Sequence, residues 1–154
     1  MKSATIYNYN DTLLFVTNKR YEDGLVRKTS GIVIYNKDEC LRTLGNALVK
    51  CFNNFETDVK LDSNSSKGFK DEIFRAVNLR KYNDFLKGSN MIEFVDLGNE
   101  VKFQPLKSSI KLKGYQSYKG IIRNHNKEEI GSTLMMKEVL ELFEEMRNGE
   151  SHPA

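Results

Sequence analysis

The sequence predicts a single α+β domain, a mixed or mainly antiparallel sheet with helices packed on it. Three observations carry this. The chain has 154 residues, the size of one compact domain with a core that needs no covalent staples. Short runs of β-branched and aromatic residues are bounded by turn signals. Two longer segments repeat apolar residues at spacings of three and four, the period of a helix with one buried face. Hydrophobic residues make up 39% and charged residues 29%, with two prolines, which excludes disordered and low-complexity classes. No apolar run approaches the ~18 residues of a membrane helix. Met1 to Asn10 lacks the apolar stretch of a secretion signal, so a cytoplasmic location is expected.

Taken in order, Ala4 to Tyr9 reads as a strand, Asn10-Asp11 as a turn and Leu13-Leu14-Phe15-Val16 as a buried strand. Glu22-Asp23-Gly24 marks a turn and Gly31 to Tyr35 a third strand. Asp38 is expected to cap the helix that follows, in which Leu41, Leu44, Ala47, Leu48, Cys51 and Phe52 share one face. Residues 53–68 are polar and read as a mobile loop. Phe69, Ile73, Phe74 and Val77, then Tyr82, Phe85 and Leu86, suggest short helices ending at Gly88 as a C-cap. Met91 to Asp96 and Val101 to Phe103 form a hairpin about Leu97-Gly98-Asn99. Pro105 cannot donate a ladder bond, so the return strand is expected to end there or lie on an edge. The alternation Ile110-Lys111-Leu112-Lys113 predicts a half-exposed strand, and Tyr118 to Ile122 another. The last helix spans about Asn126 to Arg147, with Met135, Val139, Leu142, Phe143 and Met146 inward and Glu138, Glu141 and Glu145 on a separate flank. The domain is thus expected to occupy 1–147, leaving 148–154 as a frayed tail.

One unit recurs in degenerate form. A strand, an acidic turn, an aliphatic-Gly pair and a helix occur at Gly31 to Gly45 and again at Gly120 to Gly131. The glycines are expected to let helix approach sheet closely, in two similar units sharing one sheet.

No phosphate loop, zinc spacing or nucleophile motif is present, and neither a metal nor a cofactor is implied. Cys40 and Cys51 lie eleven positions apart on the first long helix, roughly 16 Å along its axis, too far for a disulfide; both read as small hydrophobes on its apolar side. Asp38-Glu39, Asp71-Glu72 and Glu128-Glu129 are placed at helix starts, where acids favour the macrodipole. His125 reads as an exposed turn residue, so no enzyme is expected. Lys102 to Lys127 carries seven basic residues and no acid, whereas Glu128 to Glu150 carries seven glutamates against Lys137 and Arg147. The glutamate stripe Glu138, Glu141, Glu145 is a candidate surface for a basic protein partner. Lys107, Lys111, Lys113 and Lys119, interleaved with Tyr115 and Tyr118, form an alternative basic surface for RNA, without the arginine cluster or RNA motif that would favour nucleic acid.

The blocks Tyr21-Glu22-Asp23-Gly24, Gly31-Ile32-Val33-Ile34 and Leu44-Gly45-Asn46-Ala47-Leu48 occur in order with Leu79 to Gly88, Ile92-Glu93-Phe94, Val101 to Leu106 and Lys127 to Gly131. Together they resemble immunity proteins of bacterial contact-dependent growth inhibition systems. The resemblance implies a small cytoplasmic protein that binds and neutralises the toxin domain of a large exported protein, often a nuclease. It implies neither catalysis nor a cofactor, and it supplies no site residues and no oligomeric state.

Overall fold

The structure, a computed structural model, describes residues 1–29, 31–61 and 65–148. The chain runs β1 (Lys2–Tyr9), β2 (Thr12–Arg20), β3 (Val26–Lys28), β4 (Val33–Asn36), α1 (Leu41–Asn53), α2 (Ser65–Val77), α3 (Tyr82–Gly88), β5 (Ser89–Asp96), β6 (Glu100–Ser109), β7 (Gly114–Ser117), β8 (Arg123–Asn126) and α4 (Thr133–Asn148), with a 3-10 turn at Lys127–Glu129. One antiparallel sheet has the order β3-β2-β1-β5-β6-β7, with β4 also paired to β2 and β8 to β6. This is the α+β class the sequence predicts.

The recurring unit is larger than its glycines suggest. β1-β2-β3-β4-α1 and β5-β6-β7-β8-α4 have the same order of elements, with α2 and α3 between them. They join through the eight-residue β1–β5 pair, from Lys2 opposite Asp96 to Tyr9 opposite Ser89. In each half the long second strand carries two short strands on its outer edge.

Side chains alternate across the strands, so the two faces bury separate cores. On one face Ala4, Ile6, Phe15, Ile92, Phe94 and Phe103 pack under α1 and α4. On the other, Tyr7, Leu14, Val16 and Met91 pack under Phe69, Ile73 and Phe85 of α2 and α3. Ala4 to Tyr7 and Leu13 to Val16 are buried on both faces, hence their unbroken apolar runs. Further along the second face the sheet is polar. Asn18 donates to Ser3 and Thr5, and Lys28 reaches across β2 and β1 to Glu93 at 3.2 Å.

Several expectations are corrected by tertiary contacts. Pro105 lies within β6, opposite Ile92. Its carbonyl accepts from Tyr118 N–H, so its nitrogen faces the gap where β8 has ended and β7 has not begun, and a missing donor there costs no ladder bond. Ile110 to Lys113 is a turn between β6 and β7, and Tyr118 to Ile122 is a turn rather than a strand, the strand lying at β8. The third strand begins at Val33, and β3 was not anticipated. Asp38 does not cap α1; Cys40 is the N-cap residue and is exposed, not on the apolar side, whereas Cys51 is buried. Ser132 accepts from Met135 N–H and starts α4 later than expected. Helix α2 begins at Ser65, inside the expected loop, and Val59 bridges to Tyr21; residues 62–64 and 149–154 lie outside the described residues. Gly88 is the last residue of α3, where an added Cβ would meet the Tyr9 ring at 2.6 Å, so close approach and not a left-handed cap requires glycine.

The paired glycines meet each other and not the sheet. A Cβ on Gly45 would lie 1.8 Å from the carbonyl oxygen of Gly131, and a Cβ on Gly131 would lie 2.4 Å from that of Gly45. Backbone meets backbone where α1 passes the turn leading into α4. Gly45→Ala is expected to lower the free energy of unfolding by about 3 kcal/mol, the overpacking cost of a site that cannot yield, read as a lower urea midpoint; an unchanged midpoint would show that the turn can move aside.

Candidate partner-binding surface on the last helix

On α4, Leu134, Glu138, Glu141 and Glu145 recur at intervals of four, three and four, a stripe beside the buried one. The turn from Tyr118 and strand β8 pack along it. The basic stretch and the acidic helix, neighbours in sequence, therefore face each other.

His125 is at the centre of this contact. Its ring stacks on Phe103, with centroids 5.6 Å apart and planes 17° apart. Its Nδ1 lies 2.9 Å from Glu129 and its Nε2 2.7 Å from Glu138. Arg123 Nε lies 3.7 Å from the other Glu138 oxygen. Two turns along the helix, Glu145 accepts from the Tyr118 hydroxyl at 3.4 Å and lies 3.7 Å from Lys119. The expected exposed histidine is thus an enclosed clamp, its side chain 12% exposed.

Of the three candidate glutamates, Glu138 and Glu145 are engaged within the chain. Glu141 is exposed and makes no ion pair among the described residues. It borders a shallow groove of about 390 Å³ with Arg123, Leu134, Lys137 and Glu138. Leu134 is 63% exposed, and Ile122 beside Arg123 is 49% exposed. In the groove the exposed Leu134 is rimmed by charge of both signs, the make-up of a protein-binding patch. Leu134 did not stand out in the sequence, because it falls just off the inward stripe of the helix, and Ile122 reads there only as the last residue of an expected strand. The His125–Glu129 spacing of four was the one local signal of the clamp.

The alternative lysines lie on successive elements of the second half. Lys107 lies on β6, Lys111 and Lys113 occupy the β6–β7 turn beside the exposed Ile110 and Leu112, and Lys119 is paired with Glu145. The paired acids elsewhere are also relocated. Asp71 and Glu72 fall inside α2, where Glu72 accepts from Gly31 and Ile32 N–H; Asp38 and Glu39 precede α1. Among the described residues no group of His, Cys, Asp and Glu is placed to hold a metal ion, and no helix is long and apolar enough to cross a membrane.

No protein-family model matches the chain, and no curated protein matches it in sequence. Solved structures share its fold, among them the following two. A protein of unknown function from Neisseria meningitidis, NMB0488, is 14% identical with a TM-score of 0.69, over 88% of this chain and 92% of that one. A chain of the CdiA-CT/CdiI toxin and immunity complex from Yersinia pseudotuberculosis is 13% identical with a TM-score of 0.65, over 88% and 95%.

Burial pulls the His125 imidazole down, but the hydrogen bonds and charges of Glu129 and Glu138 outweigh it and leave the pKa raised. A raised folded-state pKa stabilises fully below the unfolded value near 6.5 and loses that contribution as pH rises through the folded value. Unfolding free energy is therefore expected to decline above about pH 6.5. In His125→Gln this decline should flatten, with a loss of about 2 kcal/mol at pH 6, typical of charge-assisted hydrogen bonds. Urea titrations of both proteins across pH 6 to 9 read the difference; parallel curves would remove the clamp.

Proposed function

We propose that this chain is an immunity protein that binds the cognate toxin domain of a contact-dependent growth inhibition system and neutralises it one-to-one, without catalysis and without a cofactor, in the bacterial cytoplasm. The observation that carries the reading is the likeness, over 88% of this chain, to a chain of a toxin and immunity complex. The order of the sequence blocks that resemble such immunity proteins supports it independently.

The binding surface in this reading is the outer stripe of α4. If the toxin is a nuclease, its site must hold phosphate and is electropositive. Glu141 then presents the carboxylate, with the exposed Leu134 as the apolar residue beside it in the groove. Glu138 and Glu145 are part of the same stripe, but their pairing to His125, Arg123 and Lys119 gives them a structural share as well. An RNA-binding role has fewer cations to draw on, since Lys119 and Arg123 face α4 carboxylates. It calls for RNA retention that falls steeply as salt rises.

Co-expression with the toxin domain encoded immediately upstream is expected to protect cells, and the two proteins to co-purify. Failure to bind or protect overturns the reading. Glu141→Lys is expected to weaken the complex about tenfold with an unchanged melting temperature, the scale of one interfacial charge reversal. Glu138→Lys should lower the melting temperature as well, because it breaks the His125 clamp. Full affinity in Glu141→Lys would move the interface off α4.

A further inference from the structure

Around the sheet, basic side chains are commonly paired: Lys19, Arg27, Lys28, Lys37, Lys119 and Arg123 each lie within 3.7 Å of a carboxylate. One end of the molecule is different. Residues 79–88, which hold α3, carry Arg80, Lys81 and Lys87 against the single acid Asp84. Residues 107–113, the end of β6 and the turn into β7, carry Lys107, Lys111 and Lys113 and no acid. None of these six cations makes an ion pair among the described residues.

The fold brings the two segments together. Helix α3 leads directly into β5, and Ser89, the first residue of β5, shares a 2.6 Å hydrogen bond with the Tyr115 hydroxyl of β7. Lys87 lies two residues before Ser89 and Lys113 two residues before Tyr115, so this bond ties their neighbours to each other. Ring contacts seat α3 there as well: Tyr82 to Phe85 at 6.3 Å, Phe85 to Tyr7 at 5.4 Å and Tyr7 to Tyr115 at 5.7 Å. Beyond Ser109 and Gly114, the last β6–β7 pair, Lys113 N–H donates to Ile110 C=O at 3.1 Å and Leu112 N–H to Ser109 Oγ at 3.2 Å. The turn so closed presents Ile110, 46% exposed, and Leu112, 62% exposed, among the lysines.

We propose that this end of the molecule docks on the surface of a bilayer that contains anionic phospholipid. The cations of α3 and of the turn meet the headgroups, and Ile110 and Leu112 enter the boundary with the acyl chains. Apolar side chains ringed by basic ones match the two layers of such a surface. A nucleic-acid backbone would offer the aliphatic pair nothing. The rings that could stack on bases, Tyr7, Tyr82 and Tyr115, are already packed on one another or on Phe85. The groove of Arg123, Leu134 and Glu141 lies elsewhere, since Arg123 pairs with Phe103, six residues back along β6 from Ser109, or roughly 20 Å. Docking on lipid is thus a property of this chain alone and is tested without a toxin.

Sucrose-loaded vesicles of phosphatidylethanolamine and phosphatidylglycerol are expected to carry the full chain into the pellet, and vesicles of phosphatidylcholine alone to leave it in solution. Binding should fall as salt rises, because exposed charges are screened. Lys87→Ala and Lys111→Ala, on different elements, should each weaken it about fivefold, the share of one basic residue near an anionic surface, and together about 25-fold. Ile110→Ser with Leu112→Ser should also weaken it, at an unchanged melting temperature, since neither side chain reaches the core. The chain has no tryptophan, so Leu112→Trp supplies a single reporter whose emission should shift to the blue on the anionic vesicles. A chain that ignores anionic vesicles, binds neutral ones equally, or binds with the Leu112→Trp emission unmoved would overturn the inference. So would an RNA oligonucleotide that stays bound at salt sufficient to release the vesicles.

Discussion

The contact between Gly45 and Gly131 leaves no room for a side-chain atom on either residue, and much of the molecule follows from it. It sets how closely α1 passes the turn that leads into α4, and so how both helices share one face of the sheet. That turn follows the 3-10 segment bearing Glu129, which holds one nitrogen of His125. The other nitrogen is held by Glu138, one turn into α4. A backbone contact in the helix layer thereby fixes the register of α4 against β8, and with it the direction in which Glu141 and Leu134 face. The positive φ of 73° at Gly131 adds a second reason for glycine there, since a Cβ would be strained as well as crowded.

The two halves share an order of elements but treat their outer edges in opposite ways. In the second half, charge on the β7–β8 segment is matched by α4, so a basic stretch and an acidic helix that looked like two separate surfaces neutralise each other at their contact. In the first half α1 carries no acidic residue, and β4 is mostly apolar. The α2–α3 segment, without a counterpart in the second half, covers the other sheet face and supplies Glu72 to cap the start of β4. Near-neutral net charge is thus the sum of local pairings and not evidence of a featureless surface.

What was legible in the sequence follows from how local each cause is. The paired apolar runs of β1 and β2, the face of α1 and the inward stripe of α4 depend on periodicity and were readable. Pro105 was misjudged because its tolerance depends on where two other strands begin and end. Ile110 to Lys113 alternates as a strand does, yet a turn between β6 and β7 leaves Ile110 and Leu112 exposed. Gly45 and Gly131 were visible as glycines, but that each is the other's neighbour is a tertiary fact. The glutamate stripe was found by spacing. Which glutamate remains free was decided by Arg123, His125 and Lys119, residues whose packing no local rule reports.

The proposed role draws on a fold shared with a chain of a toxin and immunity complex, and the proposed surface on a helix stripe that pairs an exposed leucine with one carboxylate that makes no ion pair among the described residues. The most direct measurement is a titration of the upstream-encoded toxin domain with this purified chain while the toxin's activity is followed. The account predicts a linear fall to zero at one chain per toxin, with no loss of this chain during the reaction. Activity that persists in excess chain, or that vanishes far below one equivalent, would contradict it.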